Sequence, residues 1–184
     1  MKKSLNYWLC AMLVLAAGCF SCSDDRDKDI NTAGLSLYAV ARQSADAPMQ
    51  YNAEMPLFSL DNIKSFNPET GELRLKNVVL DTHLFSDYSC QYRVYFYSDK
   101  NLLFDARAVS WFSSAAYFSD LTFQCVGFGP GDEFDVSEIP FYIRYGYPGI
   151  NDGDETVKEL MKKNEAGMER FIEILRRAGK IVKS

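Results

Sequence analysis

Between Leu35 and Tyr147 apolar and polar residues alternate in short runs, the pattern of strands with one buried face. "LSLYAVAR", Leu35 to Arg42, is short and only half-alternating, which predicts an edge strand. "IKSFNPETGELRLKNVVL", Ile63 to Leu80, predicts a hairpin around Asn67-Pro68-Glu69-Thr70-Gly71, where proline sets the turn entry and glycine takes a positive φ at its exit. On its second arm Leu73 and Leu75 alternate with Arg74 and Lys76. "YSCQYRVYFYSD", Tyr88 to Asp99, places Tyr88, Cys90, Tyr92, Val94 and Phe96 on one face. Ser89, Gln91, Arg93, Tyr95 and Tyr97 fall on the other. Asp99 to Asn101 reads as a turn into "LLFDARAVS", and the two runs are expected to pair antiparallel. Further strands are expected at Leu121 to Gly127 and Ile139 to Tyr145, either side of the turn-rich "GFGPGDEFD". Ala45 to Pro56 reads as a loop.

The period changes after Asn151. From Thr156 to Ala178 apolar residues fall at Val157, Leu160, Met161, Met168, Phe171, Ile172 and Leu175, a helical stripe with a gap near Asn164. Glu159 with Lys163, and Glu173 with Arg177, have the spacing of i,i+4 ion pairs. Asp152 or Asp154 can cap the start and Gly179 the end. Gly167 costs about 1 kcal/mol against alanine inside a helix, so a break between Asn164 and Gly167 is an open alternative. Strands followed by one helix define an α+β fold. The expectation is an antiparallel β-sheet or compact β-sandwich of about six or seven strands with the C-terminal amphipathic helix packed on it.

Ahead of the domain, Lys2 and Lys3 precede an apolar run from Leu9 to Ala17 and the small residues Ala16, Ala17 and Gly18, the layout of a secretory signal peptide. The run is short of the roughly 20 apolar residues of a membrane span. Residues 1–21 are therefore read as signal, residues 22–33 as an acidic flexible tether, and residues 34–184 as a single globular domain, with strands over 34–147 and the helix over 152–180. The stretch Cys22-Ser23-Asp24-Asp25 resembles the lipoproteins of Bacteroidota, in which the cysteine at the cleavage site carries lipid and acidic residues follow closely. The resemblance implies palmitate-type acylation of Cys22 and display at the outer membrane, facing the cell surface or the periplasm. Cys19, preceded by "AAG", is the alternative lipidation site. Several acyl chains on one cysteine give a firm anchor, because each buried methylene contributes about 0.8 kcal/mol.

Taking residues 1–21 from 184 leaves 163, enough for one domain with a real core. The net charge moves from −5 to −7, since that segment carries two lysines and no acids. An acidic chain without a basic, aromatic-interleaved stretch argues against nucleic acid. Of the remaining cysteines, Cys90 and Cys125 can pair as a disulfide in an oxidising compartment or serve as two small buried hydrophobes.

Candidate chemistry is sparse. His83 is the single histidine, with Asp81 and Asp87 nearby; no nucleophile accompanies it, and a metal centre wants more His or Cys ligands. The acids of "GPGDEFD" (Asp132, Glu133, Asp135) and "NDGDE" (Asp152, Asp154, Glu155) could suit calcium. The second set lacks the distal glutamate of a calcium loop and sits where a helix N-terminus favours acids. No metal and no cofactor is expected. The aromatics are more suggestive: Trp111, Phe112, Tyr117 and Phe118 in "SWFSSAAYFSD", and Tyr142, Tyr145 and Tyr147 in "FYIRYGYPG". Exposed Tyr and Trp on a rigid sheet can stack on sugars or anchor a protein. The expectation is a non-enzymatic, lipid-anchored envelope protein that binds a glycan or another envelope protein through Trp111, Tyr117, Tyr145 or Tyr147. Its rivals are a hydrolase using carboxylates such as Asp132, Glu133 and Asp87, and a structural or inhibitory module that pairs an exposed strand edge at Leu35 to Arg42 with another chain.

Overall fold

The alternating runs become eight strands among the described residues: β1 (Tyr38–Gln43), β2 (Phe58–Ser59), β3 (Ile63–Asn67), β4 (Glu72–Leu75), β5 (Tyr92–Ser98), β6 (Asn101–Ser110), β7 (Leu121–Cys125) and β8 (Pro140–Tyr145). Two helices join them, the single turn α1 (His83–Ser86) and the long α2 (Glu155–Arg177). The computed structural model describes residues 35–43, 56–80, 83–86, 92–113, 116–117, 119–127, 136–148 and 154–183, all within the unit Asn31–Ser184. The signal and tether with Cys19 and Cys22, and also Asp81, Asp87, Cys90, Phe118, Asp132, Glu133, Asp135 and Asp152, lie outside the described residues.

The strands form one sheet in the order β2-β1-β5-β6-β7-β8-β4-β3. Its two outermost strands, β2 and β3, are consecutive in the chain and joined by the short 3-10 turn Leu60–Asn62. The chain itself thus links the two edges, and the sheet curls into a nearly closed, barrel-like form rather than a sandwich. The count of eight exceeds the expected six or seven because the two-residue β2 is too short to leave a periodic signal. It pairs with β1 at Tyr38 and Ala39, so β1 is interior and not the expected edge strand. The sheet is not wholly antiparallel either: β6 and β7 run parallel, Arg107 beside Thr122 and Ser110 beside Cys125.

Local expectations hold where the turn chemistry is explicit. Gly71 closes the β3–β4 hairpin with φ +72, and its amide donates to Asn67 O. A Cβ there would stand 2.2 Å from Ile143 O, so the same residue is needed for the close passage of β8. Leu73 and Leu75 are buried, as alternation requires. The β5–β6 hairpin turns at Asp99 and Lys100 with Asp99 at φ +54, a conformation Asp tolerates better than most residues.

Phenylalanines dominate the inner face, each fully buried ring contributing about 1.5–3 kcal/mol. Phe85 of α1 lies 5.7 Å from Phe123 and 5.9 Å from Phe141. Phe171 of α2 inserts edge-on among Phe66, Phe96 and Phe104, at 5.1, 5.7 and 5.4 Å between ring centroids. The helix starts where Asp154 accepts from the Thr156 amide at 2.8 Å. It ends in a Schellman motif, with Gly179 at φ +68 and the Lys180 and Gly179 amides donating to Leu175 O and Arg176 O. The chain then runs alongside β3, Phe66 and Val182 exchanging backbone hydrogen bonds with Lys180 O and Phe66 O. Glu173 is bonded to Arg170 at 2.7 Å, so this pair takes the i,i+3 spacing.

The expected weak point in the helix is absent: α2 is continuous through Asn164 and Gly167. Asn164 is buried and donates to Leu160 O at 2.9 Å. Gly167 is there for space, since a Cβ would stand 1.9 Å from Leu103 O. Glycine lets the helix backbone lie directly against β6. Gly167→Ala, which in an open helix gains about 1 kcal/mol, is therefore expected to lose about 1–3 kcal/mol by overpacking. Urea denaturation reads this directly, and a stability equal to or above that of the parent would show that the helix does not seat so closely.

Candidate functional site

The outward face of the sheet between β5 and β7 carries the charges that the strands place opposite the core. Arg93 faces Arg107 across β5 and β6, and Tyr95 faces Asp105. Asp120 joins them: Arg93 Nη1 donates to it at 2.9 Å and Arg107 Nε at 2.7 Å. Arg93 Nε also donates to Asp105. The Arg107 guanidinium lies over the Tyr117 ring, 4.8 Å from its centroid. Two arginines and two aspartates thus form a neutral, half-buried network that no single motif announces. Its signal in the sequence is the charge at outward positions of otherwise apolar strands, "YRVYF" and "FDARAV".

The network fastens Tyr117 and Asp120, in the connection between the parallel strands, against the sheet. The Gly146 amide donates to Asp120 O, and Tyr117 and Tyr147 exchange a pair of backbone hydrogen bonds at 3.0 and 3.1 Å. Tyr147 is not an exposed stacking residue. It is only 6% exposed, packs with Val109 and Tyr117, and its hydroxyl lies 2.8 Å from Trp111 O and 3.0 Å from Ser113 O. Beneath it Thr122 and Gln124 are buried, the Thr122 hydroxyl 3.0 Å from Arg144 O and the Gln124 amide donating to the Thr122 hydroxyl at 2.9 Å. Tyr95 and Tyr97, expected on an exposed face, are 4% and 2% exposed and cluster with Val40 and Leu102.

Among the described residues, two large aromatic rings stand in solvent. Trp111 and Phe112 are 56% and 60% exposed, T-shaped to one another at 5.5 Å. Their turn is held by three backbone amides: Trp111 N–H donates to Cys125 O, Ser113 N–H to Ser110 O, and Phe112 N–H to the Ser110 hydroxyl. Phe112 is adjacent to the expected site residue Trp111 in the sequence, and its exposure adds it to that position. Tyr117 is half-buried under Arg107.

Tyr145 lies elsewhere. Its side chain points to the helix side and lines a cleft of about 450 Å³ with Met161, Lys162, Glu165, Met168, Glu169 and Ile172 of α2. Burial and, secondarily, the Glu165 carboxylate push its phenol above the ordinary value. The four expected aromatics therefore do not converge: Trp111, Tyr117 and Tyr147 belong to the crossover, Tyr145 to the helix cleft. A further stacked pair, Arg144 over Tyr142 at 4.0 Å, lies on the outward face of β8.

Cys125 is a free, buried thiol whose pKa burial pushes up, leaving it protonated at neutral pH. The other half of the considered disulfide, Cys90, lies outside the described residues. No group of three or more His, Cys, Asp or Glu side chains suited to a metal occurs among the described residues, and no described helix is long and apolar enough to cross a membrane. Asp105 and Asp120 are both engaged by arginine. Comparison with protein-family models, curated proteins and solved structures finds no match.

The network has a pH signature. Burial works against the Asp120 charge, yet the hydrogen bonds from Arg107 and Arg93 outweigh it and hold the carboxyl below its ordinary 3.8. A depressed carboxyl contributes stability that is fully present above its unfolded pKa and is lost as pH falls through the folded one. Asp120→Asn is thus expected to unfold more easily than the parent at neutral pH, the gap closing below pH 3.8. Urea midpoints across that range measure it; a gap independent of pH would detach the effect from the ion network.

Proposed function

We propose that the chain is a lipid-anchored envelope protein of the Bacteroidota type whose domain acts without catalysis, binding a glycan or an envelope protein through exposed aromatic side chains. One observation carries the binding reading: Trp111 and Phe112 stand in solvent on a turn fixed by backbone hydrogen bonds and by the Tyr147 hydroxyl. Exposed aromatics are ordinarily a liability, and two adjacent rings held rigid have already lost the conformational freedom that a flexible loop would give up on binding. The contact narrows the expected set, with Trp111 and Phe112 touching the ligand and Tyr117 and Tyr147 holding the turn in place.

A glycan array and a pull-down from envelope extract, both with the soluble protein beginning at Ser23, test this. A ligand found by either is expected to be lost from the Trp111→Ala/Phe112→Ala double variant, whose thermal unfolding stays close to that of the parent because neither ring is in the core. Retention of the ligand by that variant, or no ligand in either assay, counts against the reading.

The anchor rests on the sequence Cys22-Ser23-Asp24-Asp25 and the preceding signal. Mass spectrometry of the mature N-terminus is expected to find an acylated Cys22. Acyl chains on Cys19 would move the anchor without removing it, and an unmodified N-terminus would overturn it.

A further inference from the structure

The cleft beside α2 is a second surface, independent of the Trp111 turn. Trp111 bonds the Cys125 end of β7, while Tyr145 sits beside Leu121 at the opposite end. A helix covering a sheet ordinarily buries one stripe and turns charge to solvent. In α2 the buried stripe runs through Val157, Leu160, Phe171, Ile174 and Leu175. Met161, Met168 and Ile172 lie outside it. Met161 is 46% exposed, and with Met168, Ile172 and Tyr145 it floors the cleft. Two methionines give an adaptable apolar floor that accepts side chains of differing shape.

Charge at the rim selects among occupants. Glu165 and Glu169 stand at i,i+4, where like charges repel, and neither forms an ion pair with any described residue. Lys162 is the single cation among the described residues that line the cleft. An apolar floor beneath an acidic rim complements a segment that sets a large apolar side chain beside a lysine or arginine, whose aliphatic stem can lie along the methionines while its head meets the carboxylates. We infer that this cleft docks a basic, amphipathic segment of a partner protein.

The test uses the soluble protein beginning at Ser23, which retains the whole unit Asn31–Ser184, with ¹³C-methyl methionine. The probes are a short synthetic peptide alternating leucine and lysine and its leucine–glutamate counterpart. The lysine peptide is expected to move the Met161 and Met168 methyl signals saturably, and the glutamate peptide to bind at least about tenfold more weakly. Glu165→Gln with Glu169→Gln keeps good helix formers and removes the repulsion, so the double variant should fold; it is expected to weaken the lysine peptide by about tenfold. Undisturbed methionine signals overturn the inference, as does equal binding of the two peptides. An unchanged affinity in the double variant overturns it too, because attraction to an acidic protein as a whole would then account for binding.

Discussion

Phe171 sits where four parts of the chain must meet at once: β3 through Phe66, β5 through Phe96, β6 through Phe104, and the helix that carries it. The inner face of the sheet is packed with rings, and Phe171 enters this cluster edge-on from the helix, the T-shaped arrangement that aromatic quadrupoles favour. The ring reaches that depth because the helix lies against β6 without a side chain between them, at Gly167 and Leu103. The rest of the helix follows from this contact. Asp154 fixes where it begins, the Schellman turn at Gly179 fixes where it ends, and the chain beyond is delivered to the open edge of β3. The close approach also explains why a residue that is poor for an isolated helix occurs in the middle of a long one.

The parallel pair β6–β7 imposes the second constraint. Antiparallel neighbours need two residues to turn, whereas parallel strands need a crossover, and here its described part at Tyr117 and Asp120 packs on the outward face. A crossover lying on a sheet face must satisfy its backbone and bury its underside. Tyr147 and Asp120 do both, one through its hydroxyl and ring, the other through two arginines. Trp111 and Phe112 stand at the point where the chain leaves β6 to begin this path, and the hydrogen bonds that secure the crossover are also those that hold the two rings out.

Local signals were legible and remote ones were not. Alternation in "ELRL" and "VYF", the Asn67 to Gly71 turn and the stripe of α2 were readable because each depends on neighbours within a few residues. Tyr95 and Tyr97 look outward by the same alternation, and they do point outward; what alternation cannot report is that Val40 and Leu102 close around them. Tyr147 read as exposed for a related reason. Its strand ends at Tyr145, and only the bend at Gly146 folds it back onto Val109 and the crossover. Gly167 read as a weak point because helix propensity is a property of the isolated segment, and the carbonyl it must clear belongs to Leu103, far back in the chain. The arginine–aspartate network is not legible in the sequence, since its members come from three separate places and none carries a recognisable spacing.

β7 brings these points together. It is buried on both faces, Leu121, Phe123 and Cys125 inward and Thr122 and Gln124 outward. A central strand covered twice leaves no sheet face for a ligand in that part of the molecule, so surface chemistry is pushed to the two ends of the strand. At the Cys125 end the crossover begins and presents aromatic rings on fixed backbone. At the Leu121 end Tyr145 meets a helix flank of methionine and glutamate. The two ends differ in charge: the turn at Trp111 and Phe112 presents paired rings, while the cleft at Tyr145 carries Glu165 and Glu169 at its rim.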